Sequence, residues 1–304
     1  MSARIAALDV RSAAARDAAL PAAIDAALID TGFLLARGLA IDPGLLAAVY
    51  RTSHAFFARD AAYKARFGYR SALENFGYQG LREENLDPDA PADLKETFTM
   101  RNILRRPPAD ERWPSAEFRE LMQRFYRAAM DAGLHLQRQI AAALKLEPEF
   151  FARHHSGDNV TLRLLYYPAS TSNDARQLGA GAHTDYGLLT LLFQDRIGGL
   201  EVRDERGDWH PVASAAEEVI VNSGDLLERW SNGRYRSTPR RVQPRRSGEP
   251  RLSIAFFLDP DSDTLVEAIP ACVPPGEAPR FAPVTAGEHV QQMLARSHKD
   301  RYDS

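Results

Sequence analysis

Residues 179–195 read GAGAHTDYGLLTLLFQD, and this stretch decides more about the chain than any other. Its second half is a short apolar run bounded by glycine and aspartate, which predicts a buried β-strand over residues 188–193. Just ahead of it stand His183 and Asp185. Residues two apart on an extended chain project to the same side, so this imidazole and carboxylate can converge on one ion. Two His and one carboxylate on one face of an octahedron suit ferrous iron and leave positions open for substrate and O2. A lone His-x-Asp is common by chance, and taken alone the pair reads more readily as a hydrogen-bonded His and its acceptor than as a metal site.

Working outward, the texture on both sides of residue 195 is the same. From Asn159 onward, short apolar runs alternate with Gly, Asp, Asn and Pro turns: residues 160–167, 188–193, 200–202, 219–221 and 252–258. Many short strands of this kind predict a β-sandwich or barrel. Residues 285–296 predict a closing helix. The region before Asn159 reads as mostly helical. Residues 5–10 suit a short strand, 12–29 an Ala-rich helix, and 32–35 a buried strand ending at Gly38. Asp42-Pro43 opens a helix toward Phe57, with the Asp as N-cap and Pro at the first helical position. Residues 71–94 are polar and turn-rich, with DPDAP as a breaker. Residues 115–146 form the longest helical candidate, with Leu121, Phe125, Leu134, Leu136, Ile140 and Leu144 on its apolar face. The expectation is one compact unit over 1–304: a helical region over 1–158 packed around a β core over 159–304.

Downstream of His183 and Asp185, the chemistry-bearing residues follow in a fixed order: Asn222-x-Gly-Asp225, Asn232-Gly233-Arg234-Tyr235, then Arg251-x-Ser253. Arg251 and Ser253 share one face of a strand, and a guanidinium fork with a hydroxyl matches a carboxylate at the end of a slender acid, although taken alone they read as an ordinary Arg on a strand edge and only the order of motifs gives them meaning. Through this order of motifs, the chain resembles the isopenicillin N synthase-like family of Fe(II)/2-oxoglutarate-dependent dioxygenases. The resemblance rests on LRLLYYP, GAHTDYGLLTLLFQD, GGLEV, VNSGDLLERWSNGRYRSTPRRV and RLSIAFFLDPD, and in the first half on GFLLARG, FGYQG and DLKETF. It covers nearly the whole chain. It implies a double-stranded β-helix, or jelly roll, wrapped by helices. It also implies an iron site at His183 and Asp185, and 2-oxoglutarate held by Arg251, Ser253 and Tyr167. Phe76, Tyr78, Phe98 and Met100 fall where such proteins line a substrate entrance, although core or lid packing explains them equally well. The reaction implied is oxidation of a small molecule by O2, as hydroxylation, desaturation or cyclisation, with 2-oxoglutarate converted to succinate and CO2.

Two positions depart from the family pattern. Leu165 stands where the family often has Asn. More consequentially, Arg240 stands where the second His ligand belongs, and no His occurs between His210 and His289. A guanidinium has no lone pair to give and puts a positive charge where a dication should sit. The expectation is iron bound weakly or absent as purified, or an Arg240–Asp185 ion pair in its place. The alternative is a degenerate member that binds 2-oxoglutarate or another small ligand without oxidising it. A third reading is a variant of an ordinary enzyme.

Composition narrows the field without choosing within it. The chain has 304 residues, a net charge of −3 and 26% charged residues, with no basic excess to suggest nucleic acid or an anionic membrane. It has no 18-residue apolar run and no secretory signal, and its single cysteine excludes an internal disulfide and a thiolate cluster. A cytoplasmic protein with a small-molecule partner is expected, its oligomeric state left open. His154-His155 reads as a helix-end or loop pair, His54 as packing, and Cys272 as lacking a chemical partner. Arg241, Arg245 and Arg246 read as a solvated basic loop.

Overall fold

The computed structural model describes residues 5–11, 19–87, 90–169, 176–215, 217–244 and 248–297. Its strands and helices in chain order are β1 (Ala6–Asp9), α1 (Ala19–Asp30), β2 (Phe33–Arg37), α2 (Pro43–Phe57), α3 (Ala61–Ala65), β3 (Phe76–Gln79) and β4 (Glu96–Arg101). The long helix α4 (Ala116–Ala143) follows, then β5 (Val160–Tyr167), β6 (Ala180–His183), β7 (Leu189–Gln194), β8 (Leu200–Arg203) and β9 (Trp209–Pro211). The chain continues through β10 (Glu218–Ser223), α5 (Asp225–Trp230), β11 (Arg240–Val242), β12 (Arg251–Leu258), β13 (Leu265–Val266), β14 (Val284–Thr285) and α6 (Ala286–Ser297).

Two sheets stack to form a jelly roll. The larger has eight strands in the order β1-β2-β10-β7-β12-β5-β4-β3, and the smaller four, β6-β11-β8-β9. Period-two alternation gives the central strands of the large sheet two apolar faces. One meets the small sheet, with Phe33, Leu35, Leu165, Leu192, Ile220 and Ala255 against Ala180, Leu200, Val202 and Val242. The opposite face, including Leu34, Leu162, Leu164, Leu191, Val221, Ile254 and Phe256, joins the larger core beneath α1, α2 and α4.

Helix α4 starts where Ser115 caps it, its hydroxyl accepting from the Phe118 N–H at 3.1 Å. Phe118, Met122, Phe125, Tyr126, Ala129, Leu136 and Ile140 form its buried stripe, while Leu121 and Leu134 are only half-buried. Asp42 caps α2 as expected, accepting from the Leu45 N–H at 2.6 Å with Pro43 in the first turn.

The first half of the chain is less helical than its composition predicts. It contributes β1 and β2 at one edge of the large sheet and β3 and β4 at the other, with β2 antiparallel to β10 and β4 antiparallel to β5. The expected helix over 12–29 is seen as α1 from residue 19, and residues 12–18 lie outside the described part. No helix among the described residues is long and apolar enough to cross a membrane.

Candidate active site

The small sheet brings three side chains to one point. His183 is the last residue of β6, and β11 runs antiparallel beside it with Arg240 directly opposite His183. Asp185 lies just past the strand end, where its backbone carbonyl accepts from the Asp225 N–H at 2.8 Å. The approach is close because residue 224 is glycine: a Cβ there would sit 2.3 Å from the Gly187 carbonyl oxygen and 2.8 Å from that of Asp185. The turn is thereby pinned to the start of α5, and Asp185 points back at β11.

Both oxygens of the Asp185 carboxylate are engaged. Arg240 Nη2 donates to Oδ1 at 2.6 Å, while Thr190 Oγ1 and Asn222 Nδ2 donate to Oδ2 at 2.6 and 2.8 Å. Arg240 Nη1 donates to Asn222 Oδ1 at 2.7 Å, which closes the ring. The Arg240 and Asp185 side chains are only 7% and 4% exposed, so the pair is withdrawn from water. Burial alone would raise Asp185, but Arg240 beside it, helped by His183 and the Asn222 and Thr190 donors, holds the carboxyl below its ordinary range.

His183 Nδ1 is 2.7 Å from the Gly181 carbonyl oxygen, so the ring proton sits on Nδ1 and the Nε2 lone pair is left to accept. Burial first, then the charge of Arg240, brings its pKa down to about 4, which keeps the imidazole neutral near pH 7. The centre thus offers one neutral nitrogen donor, one carboxylate with three of its about four acceptor sites taken, and a guanidinium in the third corner. Among the described residues no group of three His, Cys, Asp or Glu side chains is arranged to hold a metal ion. The residues present do not fit a three-ligand iron site, because the guanidinium occupies the carboxylate that the ion would need.

A second centre lies along the neighbouring strands. Arg251 opens β12 opposite Tyr167 of β5, and its guanidinium lies 4.8 Å from the centre of the Tyr167 ring. Arg251 is 1% exposed. Its described partners are neutral and distant, Ser253 Oγ at 3.2 Å and Gln194 Oε1 at 3.3 Å, and its Nε has no hydrogen-bond partner among the described residues. A buried cation whose described partners carry no negative charge is costly, and a carboxylate supplied from outside would resolve it. Arg251, Ser253 and Tyr167 therefore fit the far carboxylate of a 2-oxoacid. Strand β7 links the two centres: Thr190 touches Asp185 and Gln194 touches Arg251. Four residues of strand span about 13 Å, and with side chains reaching in from both ends this is the scale of a short dicarboxylate.

The four aromatic and Met positions behave otherwise. Phe76, Phe98 and Met100 are fully buried on the helical side of the large sheet, where Phe76 and Phe98 pack with Phe56, Trp113 and Phe118. Tyr78 is half-buried against the same core and donates from its hydroxyl to Glu96 at 2.5 Å. They are packing residues and not a pocket lining, because a strand sends alternate side chains to opposite faces and these take the outer phase. The residues of the inner phase are polar: Lys95, Thr97 and Thr99, with Arg163 from β5. Lys95 pairs with Asp93, Arg163 Nη2 donates to Glu84 at 2.6 Å, and Asp93 accepts from the Gly181 N–H at 2.8 Å, two residues from His183.

Thr190, Gln194, Lys95 and Asn222 stand inside the quoted motifs, but the sequence assigns none of them a role. The one available signal was the period of two along the strands that flank Asp185. Arg241 is not in a solvated loop: it lies in β11, donates to Glu201 at 2.7 Å and covers the Trp209 ring. Arg245 and Arg246 lie outside the described residues. His54 packs edge-on to Tyr166, His154 lies against Trp230, and His155 is buried beside Gln137.

The chain is similar to a set of known proteins along nearly its full length. The profile of the 2OG-Fe(II) oxygenase superfamily matches residues 159–260, and that of the N-terminal region of non-haem dioxygenases in morphine synthesis matches residues 5–122. A 2-oxoglutarate-Fe(II) type oxidoreductase of Emericella nidulans is 31% identical over 289 residues, covering 89% of this chain and 81% of that protein. A proline hydroxylase of Petromyces alliaceus is 31% identical, covering 90% and 92%. Among solved structures, a full-length Neurospora crassa protein in complex with alpha-KG and thymine superimposes with a TM-score of 0.85 at 30% identity, covering 96% of this chain and 97% of that one.

Proposed function

The chain belongs to the 2OG-Fe(II) oxygenase superfamily, oxidoreductases that use Fe(II), 2-oxoglutarate and O2 on small molecules, and on that premise we propose how its own residues divide the work. Arg251, with Ser253 and the Tyr167 ring, seats the far carboxylate of 2-oxoglutarate. The observation that carries this reading is the buried Arg251 guanidinium, whose described partners are all neutral. The 2-oxoacid end of the cosubstrate then points along β7 toward His183 and Asp185. His183, held neutral with Nε2 free, and Asp185 are the two residues that face the reacting end.

The substrate lies between the sheets on the His183 side, next to Lys95, Thr97, Thr99 and Arg163. That wall supports a small polar molecule with hydrogen-bonding groups, in keeping with the thymine in the Neurospora neighbour. No reaction step is assigned to a metal on these residues, since Arg240 fills the third corner.

The test is O2-dependent succinate formation from 2-oxoglutarate with Fe(II) in large excess, scanned over small polar heterocycles and amino acids. Succinate release that is stimulated by one of these compounds and abolished in Arg251→Ala is the expected result. Succinate release that survives Arg251→Ala, or none with any compound, overturns the assignment. The names of the relatives lend no support to a purely binding, non-catalytic role.

A further inference from the structure

We propose that the Arg240 guanidinium is a built-in cation standing in the metal's place, so that the 2-oxoglutarate pocket of this chain loads without a divalent ion and metal enters only by displacing Arg240 from Asp185. The inference rests on the reading of Arg251 as the carboxylate anchor, and extends it to how the site is filled.

Three observations carry it. First, Arg240 occupies the corner through strand register: it is the direct partner of His183 across β6 and β11. Second, the network is complete without a metal. Asp185 accepts from Arg240, Thr190 and Asn222, and Asn222 in turn accepts from Arg240. Oδ2 is filled by two donors, and an ion can reach Oδ1 only beside or in place of the Arg240 guanidinium. Third, the pair is buried, with side chains 7% and 4% exposed. Separating a buried pair costs enough that an ion competing for Asp185 should bind on the order of a hundred- to a thousandfold more weakly than at a free carboxylate.

The charge count points the same way. Arg240 and Asp185 cancel, and Lys95 and Arg163 are balanced by Asp93 and Glu84. Arg251, whose described partners are neutral, remains as the positive charge facing the ligand. An anion is therefore drawn to the Arg251 end whether or not a metal is present. In an ordinary three-ligand site, by contrast, the metal holds the 2-oxoacid end and the two bind together.

Two titrations test this on the full chain after dialysis against EDTA. The first follows Mn(II), a redox-inert probe, by loss of its free electron paramagnetic resonance signal. The second follows 2-oxoglutarate by calorimetry, with EDTA or with Mn(II). In the unmodified protein, Mn(II) should bind weakly and the 2-oxoglutarate affinity should be the same in both media. Arg240→Ala, which removes the competitor without adding a ligand, should tighten Mn(II) at least tenfold. Arg240→His should tighten it by about a hundredfold or more and make 2-oxoglutarate binding depend on Mn(II).

Tight Mn(II) binding by the unmodified protein, or 2-oxoglutarate binding that EDTA abolishes, overturns the inference while leaving the Arg251 anchor intact. Mn(II) affinity that is equal in the unmodified protein and both variants also overturns it. Failure of 2-oxoglutarate to bind under any condition, in the unmodified protein and in Arg240→His alike, removes the anchor and the inference together. The measurements on the unmodified protein need no variant to fold.

Discussion

Replacing Arg251 should separate ligand binding from stability in a way that a structural arginine would not. Its guanidinium has five N–H donors; among the described residues, Nη1 and Nη2 each spend one on a long contact to Ser253 or Gln194, while Nε spends none. At least two donors are thus free for a carboxylate. Hydrogen bonds to charged groups are worth about 1.5–3 kcal/mol each, so two contribute about 3 kcal/mol at the lower end. Arg251→Ala should therefore weaken 2-oxoglutarate binding by roughly two orders of magnitude in Kd. The stability effect runs the other way. Removing one partner of a buried ion pair typically costs about 3–5 kcal/mol, but no carboxylate among the described residues pairs with Arg251. Arg251→Met keeps the apolar length under Tyr167 and drops the uncompensated charge. Its unfolding free energy should change by less than about 1 kcal/mol, or rise. Calorimetric titration with 2-oxoglutarate and urea unfolding of the same samples give both numbers. An unchanged Kd in Arg251→Ala, or a loss of about 3 kcal/mol or more in Arg251→Met by the scale used above, would refute the reasoning.

Other consequences are open to direct measurement. Burial, then the negative charge of Asp185, raises Asp259 from its ordinary 3.8 to about 7. The folded protein binds this proton more tightly than the unfolded chain does, so stability should fall as pH rises from about 4 through 7, by on the order of a few kcal/mol. Asp259→Asn should flatten that slope, and parallel unfolding profiles for the two proteins across this range would sink the assignment. Phe98→Ala should cost about 3–5 kcal/mol of stability while leaving the 2-oxoglutarate Kd of the folded protein unchanged. A large shift in Kd without loss of stability would return Phe98 to the pocket.

The β core was legible because its strands alternate and its turns carry Gly, Asp and Pro. Residues 160–167, 188–193 and 252–258 emerge as β5, β7 and β12 with small shifts at their ends. The order from His183 to Ser253 was legible as a resemblance, and the place of Arg240 followed from it. The phase of β3 and β4 was not. In FGYQ and ETFTMR the aromatic residues look like a pocket, yet only the pairing of β4 with β5 decides which face they take. The strands of the small sheet were largely hidden too. β6, β9 and β11 have three or four residues each, too few for a period to show, and they form because their neighbours hold them. The closed ring around Asp185 was invisible for a related reason: Thr190, Asn222 and Arg240 meet only after β7, β10 and β11 have paired across the roll.

The placement of the first four strands at the two edges of the large sheet has a consequence for how the molecule is made. β2 finds its partner in β10, where Phe33 pairs with Asn222, and β4 finds its partner in β5. During synthesis the N-terminal segments therefore leave the ribosome long before β10 exists to receive β2. Until then Phe33, Leu34 and Leu35 and their unpaired amides stay available to any other strand, in the same chain or another. Closure over so many residues is slow, which makes this the stage at which aggregation competes with folding. Expression yield should therefore respond to chaperone supply and growth temperature more than the stability of the finished fold would suggest.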